Sequence, residues 1–181
     1  MKLLVLTDRM QTDGRPLVDV VRAAVAGGAD CVVLREKDLS RAERDSLADE
    51  LRTFVPTLLI ASDPTIASDG VHLAAEDALP AVRPGLVGRS CHSAADLAAA
   101  AAEGCDYATL SPIFVSESKP GYGPALGVDS LRASPLPVYA LGGVDPANAR
   151  ACVAAGAVGV AVMGYVMRAA DPAIAVKELL S

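Results

Sequence analysis

The side chains of this 181-residue chain that could do chemistry stand just after short apolar runs. Asp8 and Arg9 follow residues 3–7, Arg35, Glu36 and Lys37 follow 31–34, Ser62 and Asp63 follow 57–61, and Glu76 and Asp77 come shortly after 70–73. Ser90 and His92 follow 86–88, Gly142 and Gly143 follow 138–141, and Met163, Gly164 and Tyr165 close the run that begins at 159. The stretch 111–127, after 107–110, is the best equipped. Three prolines and three glycines break helix and strand alike there, yet it carries Ser116, Glu117, Ser118, Lys119 and Tyr122. A long loop with such equipment reads as functional.

Arg35, Lys37 and Lys119 suit phosphate oxygens, which charge-assisted hydrogen bonds hold strongly. Each taken singly also reads as a solvated surface charge. Asp63 and Asp77 suit Mg2+, which takes a carboxylate or two and completes its shell with substrate oxygens. The plainer alternative puts Asp77 in the first turn of a helix and Asp63 before a proline turn. Gly142-Gly143 and Met163-Gly164 could offer backbone N–H groups to a phosphate, because only glycine lets the backbone come so close; a tight turn would also account for the first pair. His92 is the candidate general acid or base. His72, inside an apolar run, reads as a hydrogen-bonded core or rim histidine.

For these groups to meet, the apolar runs must be parallel strands that share one end. Their unbroken apolar character fits strands buried on both faces. Leu17, Val20, Val21, Ala24 and Val25 fall at helical spacing until Gly27-Gly28 stops them, and Ser40 with Glu43 forms a capping box for a helix to about Phe54. Residues 62–69 leave room for one helical turn or none. Short helices are expected over 75–82 and 93–103, one or two turns over 128–133, and further helices over 146–155 and 172–180. A weak repeat at 26–34, 103–110 and 154–162 has the same form each time: a helix end, a left-handed glycine, a small residue and a buried strand. Eight such units, with right-handed crossovers, predict a single (β/α)8 TIM barrel over 1–181 with a shortened third β/α connection. An open doubly wound sheet is the alternative, but no early glycine-rich dinucleotide fingerprint favours it. In a barrel, the groups that follow the strands share the C-terminal face.

Composition narrows the partners. A net charge of -6 argues against nucleic acid and against an anionic membrane surface, so an anionic substrate would need local positive charge. Phosphorylated small molecules are the expected ligands. Cys31, Cys91, Cys105 and Cys152 lack ligand-like spacing and read as reduced, mostly buried thiols. No apolar run approaches the roughly 18 residues of a membrane span, and Met1 leads almost directly into a strand, so the expectation is a complete cytoplasmic protein. The sequence leaves open whether it forms a homo-oligomer.

Six motifs together resemble the thiamine-phosphate synthase and thiazole tautomerase superfamily of (β/α)8 barrels. They are Leu34-Arg35-Glu36-Lys37, Asp69-Gly70-Val71-His72-Leu73, Gly88-Arg89-Ser90-Cys91-His92-Ser93, Pro112-Ile113-Phe114 with Ser116, Ser118 and Lys119, Gly142-Gly143-Val144, and Gly159-Val160-Ala161-Val162. The synthase resemblance implies that diphosphate leaves an aminopyrimidine-methyl diphosphate and that a thiazole phosphate captures the resulting cation. It further implies that Arg35, Lys37 and Lys119 bind the diphosphate, Asp63 and Asp77 bind Mg2+, and Ser90 contacts the pyrimidine. Ser116, Ser118, Gly143, Met163 and Gly164 would hold the thiazole phosphate. The tautomerase resemblance implies instead a metal-free proton transfer by His92 on a thiazole carboxylate phosphate. A third reading is a barrel that binds thiazole phosphate without turnover. The chain departs from the synthase pattern at three places: Val33 stands where synthases carry glutamine, Ser62 where they carry asparagine, and Ala74-Ala75 where they carry Gly-Gln.

Overall fold

All eight apolar runs become strands, and they pair in sequence order until the last meets the first. In the computed structural model, which describes residues 2–115 and 124–181, these are β1 (Lys2–Leu6), β2 (Cys31–Leu34), β3 (Thr57–Ala61), β4 (Gly70–Leu73), β5 (Leu86–Cys91), β6 (Tyr107–Leu110), β7 (Val138–Leu141) and β8 (Gly159–Val162). They close into an all-parallel barrel. Successive side chains on a strand face opposite ways, so each run serves two cores. Leu4, Leu6, Val33, Leu59, Ala61, Tyr107 and Ala161 fill the barrel interior. Leu3, Val5, Val32, Leu58, Ile60, Val71 and Val160 instead meet the surrounding helices.

The helices are α1 (Leu17–Ala26), α2 (Arg41–Leu51), α3 (Ala94–Ala102), α4 (Ala149–Ala154), α5 (Gly164–Met167) and α6 (Pro172–Leu180). Their starts follow from local chemistry. The Ser40 hydroxyl takes the Glu43 N–H while the Glu43 carboxylate takes the Ser40 N–H, which is the expected capping box. Ser93 caps α3, and Asp171 caps α6 ahead of Pro172.

The third connection is short, as expected, and holds no helix; Ile66 is buried in its place. The helix expected over 75–82 is absent as well. Two causes compete successfully with it. Pro80 and Pro84 interrupt the stretch, and the Asp77 carboxylate and the Arg89 guanidinium take up the backbone groups a helix would use. Asp77 accepts the Ala74 N–H at 2.7 Å, and Arg89 donates to the carbonyls of Ala74, Ala75 and Asp77 at 3.1, 3.0 and 2.9 Å. Smaller differences are a 3-10 turn at Val128–Leu131 for the expected helical turns, a helix over only Ala149–Ala154 within 146–155, the unexpected α5, and a β5 that runs on to Cys91, so that Ser90 lies within the strand.

Candidate active site

The C-terminal strand ends gather the polar groups. At β2, Arg35 donates from its backbone N–H to the Thr7 hydroxyl and from its guanidinium to the Thr7 carbonyl and to the Met163 sulfur, the last at 2.9 Å. That contact joins the tips of β1, β2 and β8. Glu36 turns the other way and is buried. It accepts the Thr7 hydroxyl at 2.7 Å, the Arg9 N–H, and the Arg9 guanidinium at 3.2 Å; Arg9 also pairs with Asp38 through two bonds of 2.7 and 2.6 Å. With Glu36 anchored beneath the rim, its neighbours Arg35 and Lys37 face the mouth. Lys37 Nζ donates to Ser62 Oγ at 2.7 Å, and the Ser62 hydroxyl is near enough to the Asp77 carboxyl to help hold it low. Arg35, Lys37, Ser62, Asp77 and Met163 therefore lie around one opening.

The two aspartates differ in their surroundings. Burial alone would raise the Asp77 carboxyl. The Ser62 hydroxyl, the Ala74 N–H and the charges of Lys37 and Arg89 outweigh it, so the group stays below the ordinary carboxylate value and is ionised at the mouth. Asp63 is likewise lowered against its burial, by Thr65 and by Arg41 and Arg44. Its oxygens accept the Thr65 N–H and hydroxyl and face Arg41 at 3.5 Å and Arg44 at 4.0 Å. Asp63 is thus already matched by cations, whereas Asp77 is turned to the mouth.

Among the described residues no group of three or more histidine, cysteine or carboxylate side chains could hold a metal. A lone Asp77 still fits Mg2+, since that ion accepts a single carboxylate where a diphosphate supplies further oxygens.

Ser90, inside β5, is bonded to His72 Nε2 at 3.0 Å, and His72 Nδ1 to the Tyr107 hydroxyl at 2.9 Å. Burial, and after it the charges of Lys37 and Arg35, depress His72 to about 4, so the ring is neutral at physiological pH. His72 is accordingly the hydrogen-bonded core histidine expected of its position. His92, one residue beyond β5, donates Nδ1–H to the Ser111 carbonyl at 2.9 Å, which makes Nε2 the basic nitrogen of the neutral ring. Gly142 and Gly143 take positive φ of 94° and 65°. A Cβ on Gly142 would approach Pro112 Cα to 2.8 Å, and one on Gly143 would strike the Val115 carbonyl, so close packing of the β7 and β6 loops already demands both glycines. At Gly164 a Cβ would meet the side chains of Arg168 and Gln11. Ser116, Ser118 and Lys119 lie outside the described residues.

A family model described as thiamine monophosphate synthase matches residues 3–166. The chain belongs to this family. A putative thiamine-phosphate synthase of Geobacter sulfurreducens is 40% identical over 99% of the chain and 92% of its own length. A thiamine-phosphate synthase of Methanoculleus marisnigri is 40% identical over 98% and 92%. A thiamine phosphate pyrophosphorylase structure from Pyrococcus furiosus superposes with a TM-score of 0.85 at 28% identity, covering 99% of this chain and 93% of that one. A 3-hexulose-6-phosphate synthase shares the barrel at TM-score 0.75 and 19% identity, which is a likeness of fold alone.

As a member of the thiamine monophosphate synthase family, the chain shows what its departures do. Val33 is buried in the barrel interior below Arg35 and supplies no polar contact. Ser62 is not a lost position, because its hydroxyl accepts from Lys37 and helps to hold Asp77 ionised. Ala74 contributes through its backbone, by the N–H to Asp77 and the carbonyl to Arg89. Sequence reasoning missed Arg89, Tyr107 and Glu36 as supports of this mouth. The available signal was a charge within or directly after an apolar run, as at Arg89 and Glu36, since such residues, both buried here, are rarely buried without a partner.

Proposed function

We propose that the chain is a thiamine-phosphate synthase that joins aminopyrimidine-methyl diphosphate to thiazole phosphate with release of diphosphate. The observation that carries this reading is the meeting of Arg35, Lys37, Ser62 and Asp77 at one barrel mouth in a member of that family. The bond between the methylene carbon and the diphosphate oxygen breaks, and diphosphate leaves with the electron pair. The thiazole nitrogen then donates its lone pair to the pyrimidine-stabilised cation to form the new C–N bond. Such a reaction needs the leaving charge neutralised in a preorganised site more than it needs a strong base. Arg35, Lys37 and Lys119 bind the diphosphate. Asp77 and Asp63 would hold Mg2+ together with the diphosphate. The ion, when bound, adds positive charge to the departing oxygens. Ser90 contacts the pyrimidine, and Ser116, Ser118, Gly142, Gly143, Met163 and Gly164 hold the thiazole phosphate. Both substrates are soluble phosphates, and the reaction is assigned to the cytoplasm; no helix among the described residues is long and apolar enough to cross a membrane.

His92, with Nε2 as its basic nitrogen, favours a second reading as a thiazole tautomerase. One experiment separates the two: the purified protein is given each substrate set with and without Mg2+, and product is followed by mass spectrometry. The synthase reading expects thiamine phosphate only with Mg2+ and a loss of orders of magnitude in Asp77→Ala. Turnover that a chelator leaves untouched would overturn it. Aromatised thiazole formed without metal and abolished in His92→Gln would establish the tautomerase. Binding of thiazole phosphate by calorimetry, with no product in either assay, would leave a binding protein.

A further inference from the structure

We propose that Tyr107 and His72 are positioning residues that fix the Ser90 hydroxyl as a hydrogen-bond donor to a ring nitrogen of the aminopyrimidine, and so select that ring. The inference rests on the synthase reading for the identity of the ring, but its chemistry comes from one buried chain of hydrogen bonds. Tyr107 is the buried end. Its ring stacks near His72 with centroids 5.5 Å apart, and its hydroxyl has one partner among the described residues, His72 Nδ1 at 2.9 Å. Burial holds the phenol well above its ordinary pKa, so it keeps its proton. A buried O–H must find an acceptor, and among the described residues Nδ1 is the one offered. Nδ1 is therefore unprotonated, and the neutral ring carries its hydrogen on Nε2. That N–H donates to Ser90 Oγ at 3.0 Å. With one lone pair of Ser90 occupied in this way, its hydroxyl hydrogen cannot be given back to His72. Ser90 is half-buried at the top of β5, its hydroxyl hydrogen has no acceptor among the described residues, and the histidine that it joins feels the charges of Arg35 and Lys37 at the mouth.

Gly88 supports the same assignment from the opposite side. It pairs with Tyr107 across β5 and β6, and a Cβ there would fall on the Tyr107 ring and hydroxyl. The missing side chain is the slot that lets the phenol reach His72. An aminopyrimidine presents two ring nitrogens that accept hydrogen bonds, whereas a pyridine isomer with one nitrogen replaced by C–H presents one. A site that donates at this point discriminates between the two rings.

Two measurements test the proposal. The first is the 15N–1H correlation spectrum of the histidines in the ligand-free protein, assigned through the His72→Gln variant. The expected result is the Nε2–H tautomer for His72 and mixed tautomers in Tyr107→Phe. An Nδ1–H tautomer in the unaltered protein would overturn the proposal whatever reaction the protein catalyses. The second is calorimetric binding of aminopyrimidine-methyl diphosphate and of its two pyridine isomers. One isomer is expected to bind about tenfold more weakly than the pyrimidine in the unaltered protein. That preference should vanish in Ser90→Ala, shrink in Tyr107→Phe, and return in His72→Gln, whose amide can accept from Tyr107 and donate to Ser90. Affinity for thiazole phosphate should stay unchanged throughout. Equal binding of all three rings by the unaltered protein would sink the selection. If the tautomer is as expected but no thiamine phosphate forms, the synthase reading fails while the direction of the Ser90 hydrogen bond stands.

Discussion

Ser62 has a φ of 59°, in the left-handed region where a residue with a Cβ is strained and asparagine is tolerated best. The same residue accepts from Lys37 and lowers the Asp77 carboxyl, so its backbone and its hydroxyl serve the mouth together. These two roles separate by substitution. Ser62→Asn relieves the backbone and keeps an oxygen for Lys37; it should raise stability by roughly 0.5 kcal/mol in denaturant titration with activity retained. Ser62→Ala keeps the strain and deletes the hydroxyl, and kcat/KM should fall about tenfold or more with little change in melting temperature. If Asn and Ala behave alike in both assays, the Ser62 hydroxyl is not functional. At this scale the groups that follow strands directly were readable from the sequence, because position after an apolar run fixes which end of the barrel they occupy. The support behind Ser90 was not. Tyr107 belongs to a different strand and is buried at its start, and it is the registers of β4 on β5 and of β5 on β6, both through Gly88, that bring it to His72.

The β4–β5 connection shows why elements were harder to read. A short helix is expected over 75–82, but local propensity is a weak prior when side chains compete for the backbone. Arg89 projects from the outer face of β5, fills the space a helix would cover, and binds three carbonyls of the loop while its other end pairs with Glu103 at 2.9 Å. One arginine thus replaces an element and fixes the turn that carries Asp77. Arg89→Met should cost about 2–3 kcal/mol of stability, since three carbonyls lose their donor. Hydrogen exchange should quicken first at Ala74 and Asp77, whose N–H groups are bonded within this turn. Mg2+ and diphosphate together should bind more weakly. Unchanged exchange in this loop would show that the prolines alone hold its shape. The β1–β2 rim, by contrast, has its own buried anchor in Glu36, so Arg35 and Lys37 should keep their positions in the same variant.

Across the whole molecule, acidic charge dominates, yet the mouth concentrates cations, and the barrel interior holds a single neutral imidazole beneath them. That arrangement couples acid stability to His72. In the unfolded chain this histidine takes up a proton as pH falls through about 6.5, whereas in the fold it resists until about 4, because burial and then Lys37 and Arg35 oppose the charge. Between those values the unfolded state binds the extra proton, so stability declines as pH drops from 6.5 toward 4 and the histidine's contribution levels off below. The loss amounts to roughly 3 kcal/mol over that window. Asp63 and Asp77, both lowered in the fold, act in a separate range: their contribution is present above the ordinary carboxylate value near 4 and is lost only below it. Urea titrations at intervals from pH 7 to about pH 3 should therefore show a slope between pH 6.5 and 4 in the unaltered protein that His72→Gln removes, leaving the carboxylate decline below about pH 4 in both. A variant with the same slope as the parent would mean that His72 accepts its proton inside the folded barrel, and the Tyr107 hydroxyl would then have no acceptor where the structure puts one.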